Sequence, residues 1–193
     1  MKSVMRSAGR RTQQLDTQLL AGVRAGRERR LVVGSARGLS ASAEHAAVWL
    51  ALGLVGAAAD RSRRGQWLAG VARVAAAHAA SSAVKHVVKR ERPSVAGSSP
   101  GAAPVGRWSF PSSHATSSAA AVAAYGPLLP PPLRVGLTAV SAGVVWSRLL
   151  LGVHYPTDVA AGAALGTAVA MAGSRTRSPH SLQQTSTTTE FMS

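Results

Sequence analysis

Apolar stretches alternate with short basic clusters along this chain, and that alternation sets its organisation. After a leader of 40 residues with charges scattered through it come five apolar segments, at 46–59, 66–84, 115–133, 135–146 and 159–173. The first has no charge, and the second is broken only by Arg73 and His78. The third closes on Pro130, Pro131 and Pro132, the fourth is the shortest, and the fifth is rich in Ala and Gly. Each is shorter than the roughly 20 residues of a full bilayer span, so core helices of a soluble all-α protein are one reading. Basic flanks, interfacial positions for Trp49, Trp67 and Trp146, and the Gly162-x-x-x-Gly166 pair favour membrane helices instead. The expected fold is all-α, an integral-membrane bundle of about five transmembrane helices.

Residues 1–40 read as a basic leader. Its amphipathic stretch 15–33 sets Leu19, Leu20, Val23, Leu31 and Val32 among arginines and predicts a helix on the membrane surface, with a solvated tail as the alternative. The membrane domain then runs over 41–174. Residues 175–193, poor in apolar side chains, read as a disordered tail. The charged leader has no apolar h-region, so no cleavable signal peptide is expected.

Composition supports helices. Apolar residues make up 46% of the chain but aromatics only 4%, which suits close-packed helices better than a sheet core. The formal charge of +15 admits nucleic acid, an anionic membrane surface or a phosphorylated substrate as partner. The basic residues form short clusters between apolar segments, not a long tract with interleaved aromatics, so membrane lipid and phosphate are expected and nucleic acid is not. With no cysteine, disulfides and thiolate metal sites are excluded.

Three clusters at segment ends carry the chemistry. In Lys85-x6-Arg92-Pro93, seven residues make nearly two helical turns, which predicts Lys85 and Arg92 on one helix face, with Pro93 ending the helix. Phe110-Pro111-Ser112-Ser113-His114 precedes the third segment, where a helix start aims backbone N–H groups at an anion and puts His114 in the first turn. In Ser147-Arg148-x5-His154-x3-Asp158, Pro156 suits the first helical position, and Asp158 falls where it can hold the His154 tautomer. Singly, these features read as a snorkelling anchor, a helix cap and a local hydrogen bond. Together, charged groups converging at one membrane face point to function.

In order and spacing the three clusters resemble the signature motifs of the type 2 phosphatidic acid phosphatase superfamily, over roughly residues 45–173. One departure is Ser113, where that family commonly has Gly; serine keeps the backbone N–H. The resemblance implies a metal-independent phosphatase with no cofactor, in which His154 attacks phosphorus and Asp158 orients it. His114 protonates the leaving alkoxide and then activates water. Lys85, Arg92, Ser112, Ser113 and Arg148 hold the phosphate oxygens. It further implies a multi-pass membrane enzyme acting on a lipid phosphate, distinct from the superfamily's soluble haloperoxidases and acid phosphatases. Size, composition and the stretch from Glu44-His45 to Arg64 are similar to the actinobacterial decaprenylphosphoryl-5-phosphoribose phosphatases. Undecaprenyl diphosphate, phosphatidic acid and phosphatidylglycerol phosphate are the alternative substrates, and a non-enzymatic basic membrane-binding protein is the alternative of another class. If five spans follow a leader that does not cross, fifteen Lys and Arg lie on the motif side against six opposite, which leans the site to the cytoplasmic face of the cell membrane.

Overall fold

All five apolar segments become helices, but their ends are set by capping chemistry and not by where hydrophobicity stops. The computed structural model describes residues 2–25, 46–93 and 106–175. Six α-helices order them: α1 (Lys2–Ala25), α2 (Ala47–Ala59), α3 (Arg64–Val88), α4 (Ser113–Tyr125), α5 (Pro131–Leu150) and α6 (Pro156–Arg175). Among the described residues there is no strand, only an isolated antiparallel bridge between Glu91 and Trp108. The described residues adopt the expected all-α class.

Asp60 separates α2 from α3. Its carboxylate accepts from Ser62 Oγ at 2.7 Å, Arg63 Nε at 2.6 Å and Trp67 Nε1 at 3.3 Å, which pins a 3-10 turn at Arg61–Arg63. The third apolar segment is not one helix. It breaks after Tyr125 at a 3-10 turn, Gly126–Leu128, and Pro131 opens α5 at a position where a missing N–H costs no hydrogen bond. The fourth segment is accordingly longer than its sequence pattern, at 20 residues. The expectation that Lys85 and Arg92 share a helix face is corrected: α3 ends at Val88, because Lys89 turns left-handed with φ 50°. Residues 90–92 run on as extended chain against 106–109, with the Ser109 amide donating to the Arg90 carbonyl at 2.8 Å.

Helix α4 is the central element, packed against α2, α3, α5 and α6. Its contact with α6 is the most extensive among the described residues, and the Gly162-x-x-x-Gly166 pair explains why. A Cβ at Gly162 would lie 2.6 Å from the Ser112 carbonyl oxygen, and one at Gly166 would fall on the Thr116 carbonyl. Backbone against backbone leaves room for glycine alone. The apolar core gathers Trp49, Trp67, Val74, Tyr125 and Val144, with the Trp67 and Tyr125 rings stacked at 5.5 Å. Trp49 and Trp67 therefore fill the bundle interior, which corrects their expected interfacial placement; Trp146 alone of the three is exposed.

The leader helix starts well before residue 15. It lies against α5 and α6, with Asp16 and Leu20 turned inward and Leu15 and Leu19 outward. The expectations for 26–40 and for the tail beyond 175 fall outside the described residues. Among the described residues α5 is the one helix long and apolar enough to cross a membrane, with mean hydropathy 1.3; α2 is apolar but has 13 residues.

Candidate active site

The α4 N-terminus forms one wall of the site. Ser112 caps the helix, its hydroxyl accepting from the Ala115 amide at 3.5 Å, which satisfies one first-turn donor. The Ser112 amide donates to the Asp158 carbonyl at 2.9 Å, tying the starts of α4 and α6 together. Ser113 is the first helical residue, so its amide has no acceptor within its own helix. Its hydroxyl meets Ser81 Oγ of α3 at 2.8 Å. His114 follows in the first turn, half-buried, where the sequence predicts it.

Three cations come from separate elements. Lys85 sits in the last turn of α3 and donates to the Trp108 carbonyl at 3.4 Å. Arg148, in the last turn of α5, is buried. Arg92 stands on the extended segment after α3 and donates to the Val153 carbonyl at 2.8 Å and the Gly106 carbonyl at 3.1 Å. Its Nη1 also lies 3.3 Å from His154 Nε2.

That last contact fixes the imidazole. A guanidinium donates and cannot accept, so Nε2 offers its lone pair and the ring proton sits on Nδ1. His154 lies in the short loop between α5 and α6 and is only 2% exposed. Burial pushes its pKa down to about 4, against the pull of Asp158, and the Arg92, Arg148 and Lys85 cations lower it further. At neutral pH it is an uncharged base with its lone pair facing a guanidinium.

Asp158, in the first turn of α6, is fully buried. One of its oxygens, Oδ2, is 3.7 Å from His154 Nδ1, which is ion-pair distance and not a hydrogen bond. The same oxygen accepts from the Tyr155 amide at 2.9 Å. The other, Oδ1, accepts from Arg90 Nη1 at 2.8 Å. The His–Asp pair is thus close and correctly ordered but looser than the sequence spacing suggests, because two other donors hold the carboxylate. No group of three His, Asp or Glu able to hold a metal ion occurs among the described residues.

A cationic cluster around a neutral, buried imidazole beside a helix N-terminus has the chemistry to hold an oxyanion. In comparison with known proteins, residues 66–180 match the PAP2 superfamily. The chain belongs to the PAP2 superfamily. It is 44% identical over 138 residues to a decaprenylphosphoryl-5-phosphoribose phosphatase of Mycobacterium tuberculosis, covering 72% of this chain and 76% of that protein. It is 42% identical over 139 residues to one from Mycolicibacterium smegmatis, covering 68% and 71%. A Rhizobium etli lipid A 1-phosphatase shares 45% identity over 58 residues, 30% of this chain and 25% of that one. No solved structure matches. This PAP2 protein is accordingly a hydrolase of phosphoric ester bonds.

Sequence reasoning missed two residues at the site, Arg90 and Asp16. Arg90 lies inside the first motif at an unspecified position. Asp16 lies in the leader, 142 positions before Asp158, yet it is 1% exposed and accepts from Arg90 Nη2 at 2.7 Å. A lone acid on the Leu20 face of an otherwise basic helix is the signal that could have found it.

Proposed function

We propose that this protein is a membrane lipid phosphatase, with decaprenylphosphoryl-5-phosphoribose or a similar polyprenyl-phospho-sugar as substrate, working through phosphohistidine at His154. The observation that carries the reading is Arg92 Nη1 against His154 Nε2. A phosphoryl group held by that guanidinium lies against the imidazole lone pair. Nε2 attacks phosphorus, the bond from phosphorus to the ester oxygen (the ribose 5-oxygen in the favoured substrate) breaks, and His114 gives that oxygen its proton. Water then attacks phosphorus, its proton passes to His114, the P–N bond breaks, and inorganic phosphate leaves. Lys85, Arg92, Arg148, Ser112 and the Ser113 amide stabilise the phosphoryl oxygens, and Asp158 stabilises the imidazolium.

The substrate class is supported by the mycobacterial relatives. Immersion in a bilayer is supported by large apolar side chains facing outward on four helices: Leu54 and Val55 of α2, Leu68 of α3, Val135, Val140 and Trp146 of α5, and Met171 of α6. Helix α5, at 20 residues, matches a hydrocarbon core of about 30 Å in both length and apolarity, while α3, at 25 residues, and α6, at 20, are long enough but less apolar. The docking of α1 beside the site supports a leader that shares its side of the membrane. The leader's nine Lys and Arg then favour the cytoplasmic face of the cell membrane.

The test is phosphate release by the purified, detergent-solubilised protein from a panel holding a polyprenylphosphoryl-5-phosphoribose, undecaprenyl diphosphate, phosphatidic acid and phosphatidylglycerol phosphate. The polyprenyl substrate is expected to give the highest kcat/KM. His154→Ala is expected to lose activity by several orders of magnitude while purifying normally. Retention of more than a few per cent of wild-type turnover by that variant would sink the mechanism.

A further inference from the structure

The leader helix α1 reaches Asp158, the carboxylate 3.7 Å from His154 Nδ1, through an unbroken chain of hydrogen bonds. Asp16 is 1% exposed and receives three donors: Arg90 Nη2 at 2.7 Å, the Thr157 amide at 3.1 Å and the Thr157 hydroxyl. Arg90 Nη1 then bridges Thr157 Oγ1 and Asp158 Oδ1, each at 2.8 Å. The Arg90 guanidinium also lies over the Tyr155 ring, 4.1 Å from its centroid. Every polar contact of that guanidinium goes to a carboxylate or to Thr157, whereas Arg92, two residues on, is aimed at His154. The division is clear: one arginine faces the phosphate position, and the other braces the carboxylate behind the nucleophile.

We propose that Asp16 and Arg90 are positioning residues for the hydrolysis, with α1 supplying a buried carboxylate that locks Arg90 onto Asp158 and so holds the His154 imidazole in register. The inference rests on the phosphohistidine reading of the site. Asp16 does two jobs at once. It caps α6 from outside, since Pro156 has no N–H and the Thr157 amide would otherwise lack an acceptor in the first turn. It also neutralises the second edge of a guanidinium whose first edge is spent on Asp158. Loss of the Asp16 charge frees Arg90 to swing, and Asp158, 3.7 Å from Nδ1 and without a hydrogen bond to it, loses the brace that keeps it there. An offset of about 1 Å between catalytic groups costs roughly a hundredfold in rate.

The experiment uses the full-length protein in detergent, with Asp16→Asn, Arg90→Gln, Asp158→Asn and the two double variants that carry Asp158→Asn. Asp16→Asn and Arg90→Gln are each expected to lower kcat by about tenfold or more and to change KM by less than about twofold, because neither residue touches the phosphate. In the Asp158→Asn background each is expected to lower kcat by less than about twofold, since the group it braces is already gone. A structural role for α1 predicts the reverse, with the same fractional loss in either background. Should Asp16→Asn not purify as folded protein, Arg90→Gln carries the same comparison. Undiminished kcat in the single variants, a loss confined to KM, or full additivity with Asp158→Asn overturns the proposal. A wild type inactive on every lipid phosphate, or a fully active His154→Ala, overturns instead the reading it rests on.

Discussion

Substituting alanine for Gly166 tests whether the α4–α6 contact sets the geometry of the site. An added Cβ would fall on the Thr116 carbonyl, with the carbonyl carbon at 2.8 Å and Thr116 Cα at 3.1 Å. These are backbone atoms of the central helix and cannot rotate away. Restoring an ordinary contact of roughly 3.5 Å moves the helices apart by about 1 Å at this level. Overpacking of this kind costs about 1–3 kcal/mol, offset by up to about 1 kcal/mol from the better helix propensity of alanine. The kinetic effect is expected to be larger than the thermal one. Helix α4 starts with its cap Ser112, Ser113 and His114 while α6 carries Asp158, so separation spreads the proposed anion site from the partner of the proposed nucleophile. Gly136, on the exposed side of α5 with nothing within 4 Å of an added methyl, is the control, and alanine there is expected to raise stability by about 1 kcal/mol. The assay is turnover on a lipid phosphate together with thermal unfolding in detergent, where 1 kcal/mol corresponds to about 2–4 °C. Wild-type turnover and Tm in Gly166→Ala, or an equal loss in Gly136→Ala, would refute the reasoning.

The acid limb of kcat/KM is expected near pH 4, because burial and the surrounding cations keep His154 neutral down to there; a limb centred near the ordinary histidine value of 6.5 counts against His154 as the nucleophile. The same depression links pH to folding. Between 6.5 and about 4 the unfolded chain binds the proton that the native imidazole refuses, so His154's contribution to stability falls as pH drops through that window and is fully lost below it. His114→Ala is expected to be crippled on a lipid phosphate but partly active on p-nitrophenyl phosphate, whose leaving group needs no acid; equal loss on both substrates removes His114 from that role. With Lys85, Arg92 and Arg148 proposed to neutralise the phosphoryl oxygens, EDTA is expected to leave the rate unchanged and vanadate to inhibit; a Mg²⁺ requirement on add-back means the cations do another job.

What is legible in the sequence is whatever a short stretch determines by itself. Ser112 before an apolar run predicts a cap and Pro156 a first helical position, and both hold because only a few neighbouring backbone groups decide them. The end of α3 escapes such reading because Lys89 closes it in a left-handed turn, which no local rule favours for lysine. Trp49 and Trp67 look interfacial because their place in a segment shows depth along a helix but not which side faces the bundle. The His154–Asp158 spacing shows the pair but not its distance, since the carboxylate is shared among His154, the Tyr155 amide and an arginine 68 residues away.

Charge scarcity offers a route to the contacts that local patterns miss. The chain has three aspartates against 22 lysines and arginines, and each aspartate pairs with an arginine: Asp60 with Arg63, and Asp16 and Asp158 both with Arg90. A buried carboxylate without a cation costs several kcal/mol, so an acid set beside apolar side chains in the sequence already implies a cationic partner elsewhere in the chain. Asp60 finds its partner three residues away, in an exposed turn, and only shapes a connection. Asp16 and Asp158 find theirs across the whole chain and close on the same guanidinium, which makes a single residue answer for the docking of α1, the start of α6 and the carboxylate behind His154. On the proposed mechanism Arg90, which no motif specifies, therefore joins folding to catalysis.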